Sequence, residues 1–186
     1  SEQLAKLPLS HEPGEGWIYG PSINVVGRVV EVVSGIPFQD FVQQRILDPL
    51  GMQSTKFFLK EEDAGRLTSL YAPDGKDGLR LVDPGNESSI KITGSKVYYS
   101  GSGGLISSLE DYLTFCVMIL NDGKHQGKQI AKPQTIALMK TDQVPLNINA
   151  HYFDEGGQLA EGFTFGYQIV RKETSKTLKQ KGTIGW

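Results

Sequence analysis

Apolar positions along the chain fall into helix-like and strand-like periods, cut apart by glycine and proline. Pro13-Gly14 marks a turn that runs to Trp17. Behind it Val25, Val26, Val29, Val30 and Val33 recur at i, i+1, i+4, i+5 and i+8, which is one apolar stripe of a helix. Ser22 is the expected N-cap and Gly35 the expected stop. Valine is a mediocre helix former, so this helix needs its stripe buried by tertiary packing. A second helix is expected from Pro37, with Phe38, Phe41, Val42, Ile46 and Leu47 inward and Pro49 ending it. Residues 63–94 are less regular. Pro73-Asp74-Gly75 and Pro84-Gly85-Asn86 read as turns, and Leu79, Leu81, Ile90 and Ile92 alternate as short strands. A third helix opens near Ser108, where Ser107 with Glu110 or Ser108 with Asp111 makes a capping-box pattern. Its expected buried stripe is Tyr112, Phe115, Cys116, Ile119 and Leu120, and Asn121-Asp122-Gly123 ends it. A short helix follows from Pro133, with Ile136 and Met139 inward, and then strand-like runs over 163–170 and 177–182.

Composition narrows the classes of function. With 186 residues, 38% hydrophobic and 22% charged, the chain is long enough for one domain with a core. A net charge of -2 offers no general surface for nucleic acid and no polybasic patch for a membrane. No apolar run approaches the roughly 20 residues of a membrane span. A single cysteine, Cys116, cannot form an internal disulfide or a cysteine-rich metal site, and it sits on an apolar helix stripe as a core residue would. His11, His125 and His151 are isolated. His151-Tyr152-Phe153-Asp154-Glu155 has no spacing that converges on a metal, so neither a metal nor an organic cofactor is expected. Both ends, Ser1-Glu2-Gln3-Leu4 and Gly182-Thr183-Ile184-Gly185-Trp186, read as interior sequence, so residues 1–186 are expected to be a partial single domain.

Four stretches, in order, carry a resemblance. They are Pro13-Gly14-Glu15-Gly16-Trp17-Ile18-Tyr19 with the valine-rich helix to Gly35, then Phe38 to Thr55, Gly101 to Gly123, and Gln129 to Pro145. Together they cover nearly all of the chain and resemble the class C β-lactamase-like, penicillin-binding-protein-like serine hydrolases, which include D-Ala-D-Ala carboxypeptidases and β-lactamase-like esterases. The resemblance implies an α+β fold: an antiparallel sheet flanked by helices, plus a helical lobe, only partly present in this chain. It implies hydrolysis of an ester, amide or β-lactam through an acyl-serine, acting on a small-molecule or peptidoglycan-like substrate. It favours a periplasmic or extracellular setting. The family's Ser-x-x-Lys nucleophile lies upstream of its tyrosine, ahead of Ser1, so the chain alone is expected to be inert.

In such a family a lysine and a tyrosine share the role of base toward the serine. A phenol, with pKa near 10, becomes a base only where nearby cations favour the phenolate. Tyr19 matches that tyrosine; read without the family, it is a ring packed under the helix with its hydroxyl in water. Lactamases carry Tyr-x-Asn, whereas the third position here is Pro21, with Asn24 further on, which turns the reading from β-lactams toward esters or peptides. The literal Ser-x-x-Lys, Ser88-Ser89-Ile90-Lys91, follows a turn, looks strand-like and comes after the tyrosine, so it is set aside. Ser102 and Gly103, in Ser100-Gly101-Ser102-Gly103-Gly104, are candidates for the substrate-binding rim, or form a tight turn serving the next helix. A nucleophile elbow at Ser102 would need glycine where Ser100 stands. Trp17 is expected to pack beneath the tyrosine loop. Trp186 is a candidate cleft residue if Ile184-Gly185-Trp186 begins the Trp-Gly-Gly motif of the esterases; the alternative register uses Lys181-Gly182-Thr183. Two rival functions remain, a non-catalytic ligand-binding module of the same fold and an unrelated hydrolase using Ser102. The apolar faces should also promote self-association.

Overall fold

The computed structural model describes residues 3–147, 149–150, 161–173 and 179–185. A short strand β1 (Gly16–Trp17) leads into α1 (Ser22–Ser34). Helix α2 (Phe38–Val42) continues through a π-helical turn, Gln43–Leu47, into α3 (Asp48–Leu50). The hairpin β2 (Leu70–Pro73) and β3 (Leu79–Asp83) follows, then α4 (Ile90–Thr93) and α5 (Leu109–Leu120). A tight hairpin, β4 (Lys124–His125) with β5 (Lys128–Gln129), precedes α6 (Pro133–Met139). The last strands are β6 (Asn149–Ala150), β7 (Glu161–Phe163), β8 (Gln168–Val170) and β9 (Ile184–Gly185). Strands β7, β8 and β9 form an antiparallel sheet, and β1 pairs with β6 in parallel. The architecture is α+β, as expected.

The core lies among α2, α3, α5 and α6. Val42, Leu47, Leu50 and Met52 meet Met118, Ile119 and Ile136, with Ile184 of β9 half-buried against them. Local chemistry explains most of the boundaries. Gly35 and Gly51 end α1 and α3 at φ 69° and 72°, a region open to glycine at little cost. Ser108 Oγ accepts the Asp111 N–H at 3.2 Å and caps α5. Asp111 in turn accepts the Ser54 N–H and the Thr55 hydroxyl, each at 2.8 Å, tying α5 to the chain behind α3.

Several sequence expectations need correction. Pro49 does not stop its helix. The chain widens to a π turn just ahead of it, as a proline without an N–H and with a bulky ring requires, and Gly51 ends the helix instead. Ile90 and Ile92 lie in a one-turn helix capped by Ser89, not in a strand. The 163–170 run is a hairpin folded at residues 164–167, not one strand. In α5 the inward face has turned: Met118 and Ile119 are buried, while Tyr112 and Leu120 are exposed.

The largest correction concerns α1. Most of its valine stripe does not face the core: Val25, Val26, Val29 and Val33 are exposed, Val33 to 81%, as is Val32, while Val30 is half-buried. The helix packs instead through the opposite side, along Asn24, Gly27, Glu31 and Ser34. Gly27 is buried, and a Cβ there would lie 3.7 Å from the Phe38 ring, an ordinary contact, so this side of α1 packs on α2 at normal van der Waals distance. Glu31 accepts the Phe38 N–H at 3.1 Å and so caps α2, whose own N-cap, Pro37, offers no side-chain acceptor. Ser34 Oγ accepts the Ile36 N–H at 3.1 Å.

Glu31 also pairs with Arg28 at 2.9 Å, and that contact with the Phe38 N–H holds its carboxyl below the ordinary 4.5. Asp63 is likewise held below 3.8 by Lys56 and the Lys60 N–H. The folded state therefore binds fewer protons than the unfolded chain, and this stabilisation is present above about pH 4.5 and lost as pH falls through the lowered folded values. The urea midpoint of the chain is expected to drop between pH 6 and pH 3.5, and Glu31→Gln should flatten that drop. An equal drop in both proteins would show that Glu31 takes no part.

Candidate functional site

Tyr19 sits on the link between β1 and α1. β1 is held by its parallel pairing with β6, and Pro21 begins the helix, so the tyrosine is carried on a short edge fixed at both ends. Its ring lies 6.1 Å from that of Phe163, centroid to centroid, at 57°, and Trp17 lies 5.1 Å from the same ring. Trp17 thus packs next to the tyrosine loop as expected. Phe163 is buried at the end of β7, where its carbonyl accepts the Gln143 N–H at 2.8 Å. The β7–β8 turn is closed by the Thr164 N–H on the Tyr167 carbonyl (2.7 Å) and by the Tyr167 N–H on Thr164 Oγ1 (3.1 Å).

These elements enclose a cavity of about 490 Å³ beside Tyr19. Trp17, Ile18, Ile23 and Val26 line one side and Phe163 and Phe165 the other, with Ser22 and Thr164 adding hydroxyls. Among the described residues that line it none is charged. Those walls suit an uncharged apolar group and, among the described residues, offer a carboxylate no cationic partner.

Ser102 and Gly103 are exposed on the loop ahead of α5, and the cavity that Tyr19 lines does not include them. Ser102 is tied to α1 through Asn24: its N–H reaches Asn24 Oδ1 at 3.1 Å and its Oγ at 3.2 Å. Ser100 Oγ donates to the same oxygen at 2.9 Å. Among the described residues Ser102 Oγ contacts only the Asn24 oxygen and the Ser100 hydroxyl, neither of which can serve as a base. Asn24 is the residue that sequence reasoning underrated. Its signal was a polar side chain in the first turn of a valine-rich helix.

Ser88 lies just before the Ser89 cap of a four-residue helix, so Ser88 and Lys91 do not share a helix face as a Ser-x-x-Lys pair must. Ser89 itself is fully buried and structural: its hydroxyl donates to Asp83 at 2.9 Å and caps Lys91. Tyr167 is unsuited to act as a base, because burial first, then Tyr112 and Cys116, push its phenol up to about 12. Cys116 is half-buried beside it. Lys181-Gly182-Thr183 forms the turn into β9, while Ile184–Gly185 is the strand paired to β8. Trp186 and the 151–155 stretch lie outside the described residues. Among the described residues no three His, Cys, Asp or Glu side chains come together, and no helix is long and apolar enough to cross a membrane.

The sequence matches the model of the beta-lactamase family over residues 1–186. This chain belongs to the beta-lactamase family. Protein Rv1367c of Mycobacterium tuberculosis is 33% identical over 152 residues, covering 81% of this chain and 36% of that protein. Lovastatin esterase of Penicillium rubens is 34% identical over 125 residues, covering 66% of this chain and 31% of the esterase. The fold superposes on unliganded simvastatin synthase of Aspergillus terreus with a TM-score of 0.72 at 20% identity, over 95% of this chain and 46% of the synthase. The beta-lactamase-family chain therefore spans about a third to a half of the length of these relatives.

Proposed function

We propose that this beta-lactamase-family chain is the tyrosine-bearing part of a serine hydrolase that cleaves an ester through an acyl-serine intermediate. The observation that carries the reading is Tyr19, held on a fixed edge against an apolar, uncharged cavity. In this reading Tyr19 helps take the proton from a serine supplied by a Ser-x-x-Lys segment outside these 186 residues, and Ser102 and Gly103 form part of the substrate rim. Pro21, where a lactamase carries asparagine, supports an ester over a β-lactam. The likeness to lovastatin esterase supports the same choice. The exposed valine face of α1 supports association of this chain with further copies of itself.

A fluorophosphonate probe followed by intact-mass measurement tests the reading. The 186-residue chain is expected to gain no adduct. In a form of the protein that carries the Ser-x-x-Lys segment, one equivalent should add, and Tyr19→Phe should slow ester turnover by about 10²–10⁴-fold. An adduct on the 186-residue chain that Ser102→Ala abolishes and Tyr19→Phe leaves intact would replace this reading with a Ser102 hydrolase. Saturable ester binding by the longer form, with neither adduct nor turnover, would replace it with a non-catalytic binding module.

A further inference from the structure

Asn24 is the third residue of α1, five positions after Tyr19. Its side-chain oxygen receives three hydrogen bonds from one short loop: Ser100 Oγ at 2.9 Å, the Ser102 N–H at 3.1 Å and Ser102 Oγ at 3.2 Å. A backbone N–H can only donate, so its presence fixes which end of the Asn24 amide faces the loop. Ser100 Oγ also accepts the Ser102 N–H at 3.2 Å, which closes the loop on itself. Between the two serines Gly101 approaches α1 so closely that a Cβ would lie 2.5 Å from the Ile23 carbonyl oxygen. The loop is therefore seated on the first turn of α1 by one acceptor oxygen and one missing side chain.

That seat has a consequence for the site. Tyr19 is carried by the link into α1, and Ser102 and Gly103 are carried by the loop, with no shared strand or helix between them. The contacts of Asn24 and Gly101 join the two. We propose that Asn24 is a positioning residue that holds the Ser102–Gly103 rim in register with Tyr19. It acts through its acceptor oxygen and does not touch the reacting atoms. The proposal rests on the reading of Tyr19 and the rim as one site.

The test is millisecond quench-flow hydrogen exchange with mass spectrometry on the 186-residue chain, following the peptide that contains Ser102. Asn24→Leu removes the acceptor and is expected to speed exchange at that loop by about 10-fold, the effect of losing bonds worth about 1 kcal/mol or more. Asn24→Asp keeps an acceptor oxygen in place and should restore the slow rate. Gly101→Ala lifts the loop off α1 without changing Asn24 and should match the leucine variant. Exchange in α5 around Ile119 reports whether each variant remains folded. Unchanged loop exchange in Asn24→Leu overturns the proposal. So does fast exchange in both the leucine and aspartate variants, since packing at position 24 would then matter more than the oxygen. In the longer form, Asn24→Leu should raise KM for an ester more than it lowers kcat, with rescue by aspartate. Failure of the hydrolase reading shows separately, as Tyr19→Phe without effect on turnover.

Discussion

At about 100 µM and above the 186-residue chain is expected to sediment as dimers or larger species, and replacing Val29 and Val33 together with lysine should return it to monomer. Helix α1 packs by the side that carries Asn24, Gly27, Glu31 and Ser34 and turns five valines to solvent, exposed between 38% and 81%. Full burial of a valine is worth about 1.5 kcal/mol or more, so covering these half-exposed ones contributes roughly 5 kcal/mol per copy. Two copies meeting face to face gain about 10 kcal/mol, against an association cost of about 4 kcal/mol or more. The remainder corresponds to dissociation constants between about 1 mM and 1 µM. A net charge of -2 opposes this only weakly. The patch also continues toward the cavity, since Ile18, Ile23 and Val26 line it and are themselves exposed. Two lysines remove the centre and end of the face and add like charges, so association should weaken by about 100-fold or more. Sedimentation velocity across a concentration series decides the point. A monomer at every concentration, with an unchanged profile in the lysine variant, would show that the valine face has no affinity for itself.

The second large effect is expected at Ile136. It has no exposed surface, and α6 inserts it among Met118 and Ile119 of α5 and Leu47 and Leu50 before it in the chain. Truncation to alanine removes buried carbons and leaves a cavity that a packed interior closes only in part, at about 2–5 kcal/mol. A domain's whole stability is of order 5–15 kcal/mol, and this one leaves much apolar surface in water. Ile136→Ala is therefore expected to lower the urea midpoint steeply or abolish the cooperative transition, while Ile136→Val, at about 0.5–1.5 kcal/mol, should keep it. Equal midpoints for the two variants would mean that the site collapses freely around the loss.

How far the site could be read in advance depended on the kind of signal. Tyr19 could be picked out as a candidate because its flanks are strong local punctuation and because the surrounding stretches resemble a family in order. The cavity beside it was not. It is made by Phe163 and Phe165, some 140 positions further along, and no local period announces a contact across that distance. Asn24 was noticed only as a departure from Tyr-x-Asn. Its role appears when Ser100 and Ser102 are brought to it by folding. The valine stripe was read correctly as a stripe and wrongly as the side that meets the rest of the chain. Periodicity says that a helix has an apolar face, but it cannot name what covers that face.

By itself the sequence determined what short-range chemistry controls. Glycines at the helix ends allow positive φ, Ser108 supplies a cap within three residues of its donor, and Pro133 opens a helix at its first position. These effects act over one turn, so the residues that cause them are the residues that show them. Tertiary structure alone decided which face of α1 is turned inward, which residues of α5 are buried, and that Asn24 would meet the serine loop. Those outcomes depend on competition between distant surfaces, and the contacts that won were the close approach of Gly101 to the first turn of α1 and the Glu31 carboxylate cap on α2, not the larger apolar area. A glycine contact and a hydrogen bond need a partner at one particular distance and angle, and only the folded chain supplies it.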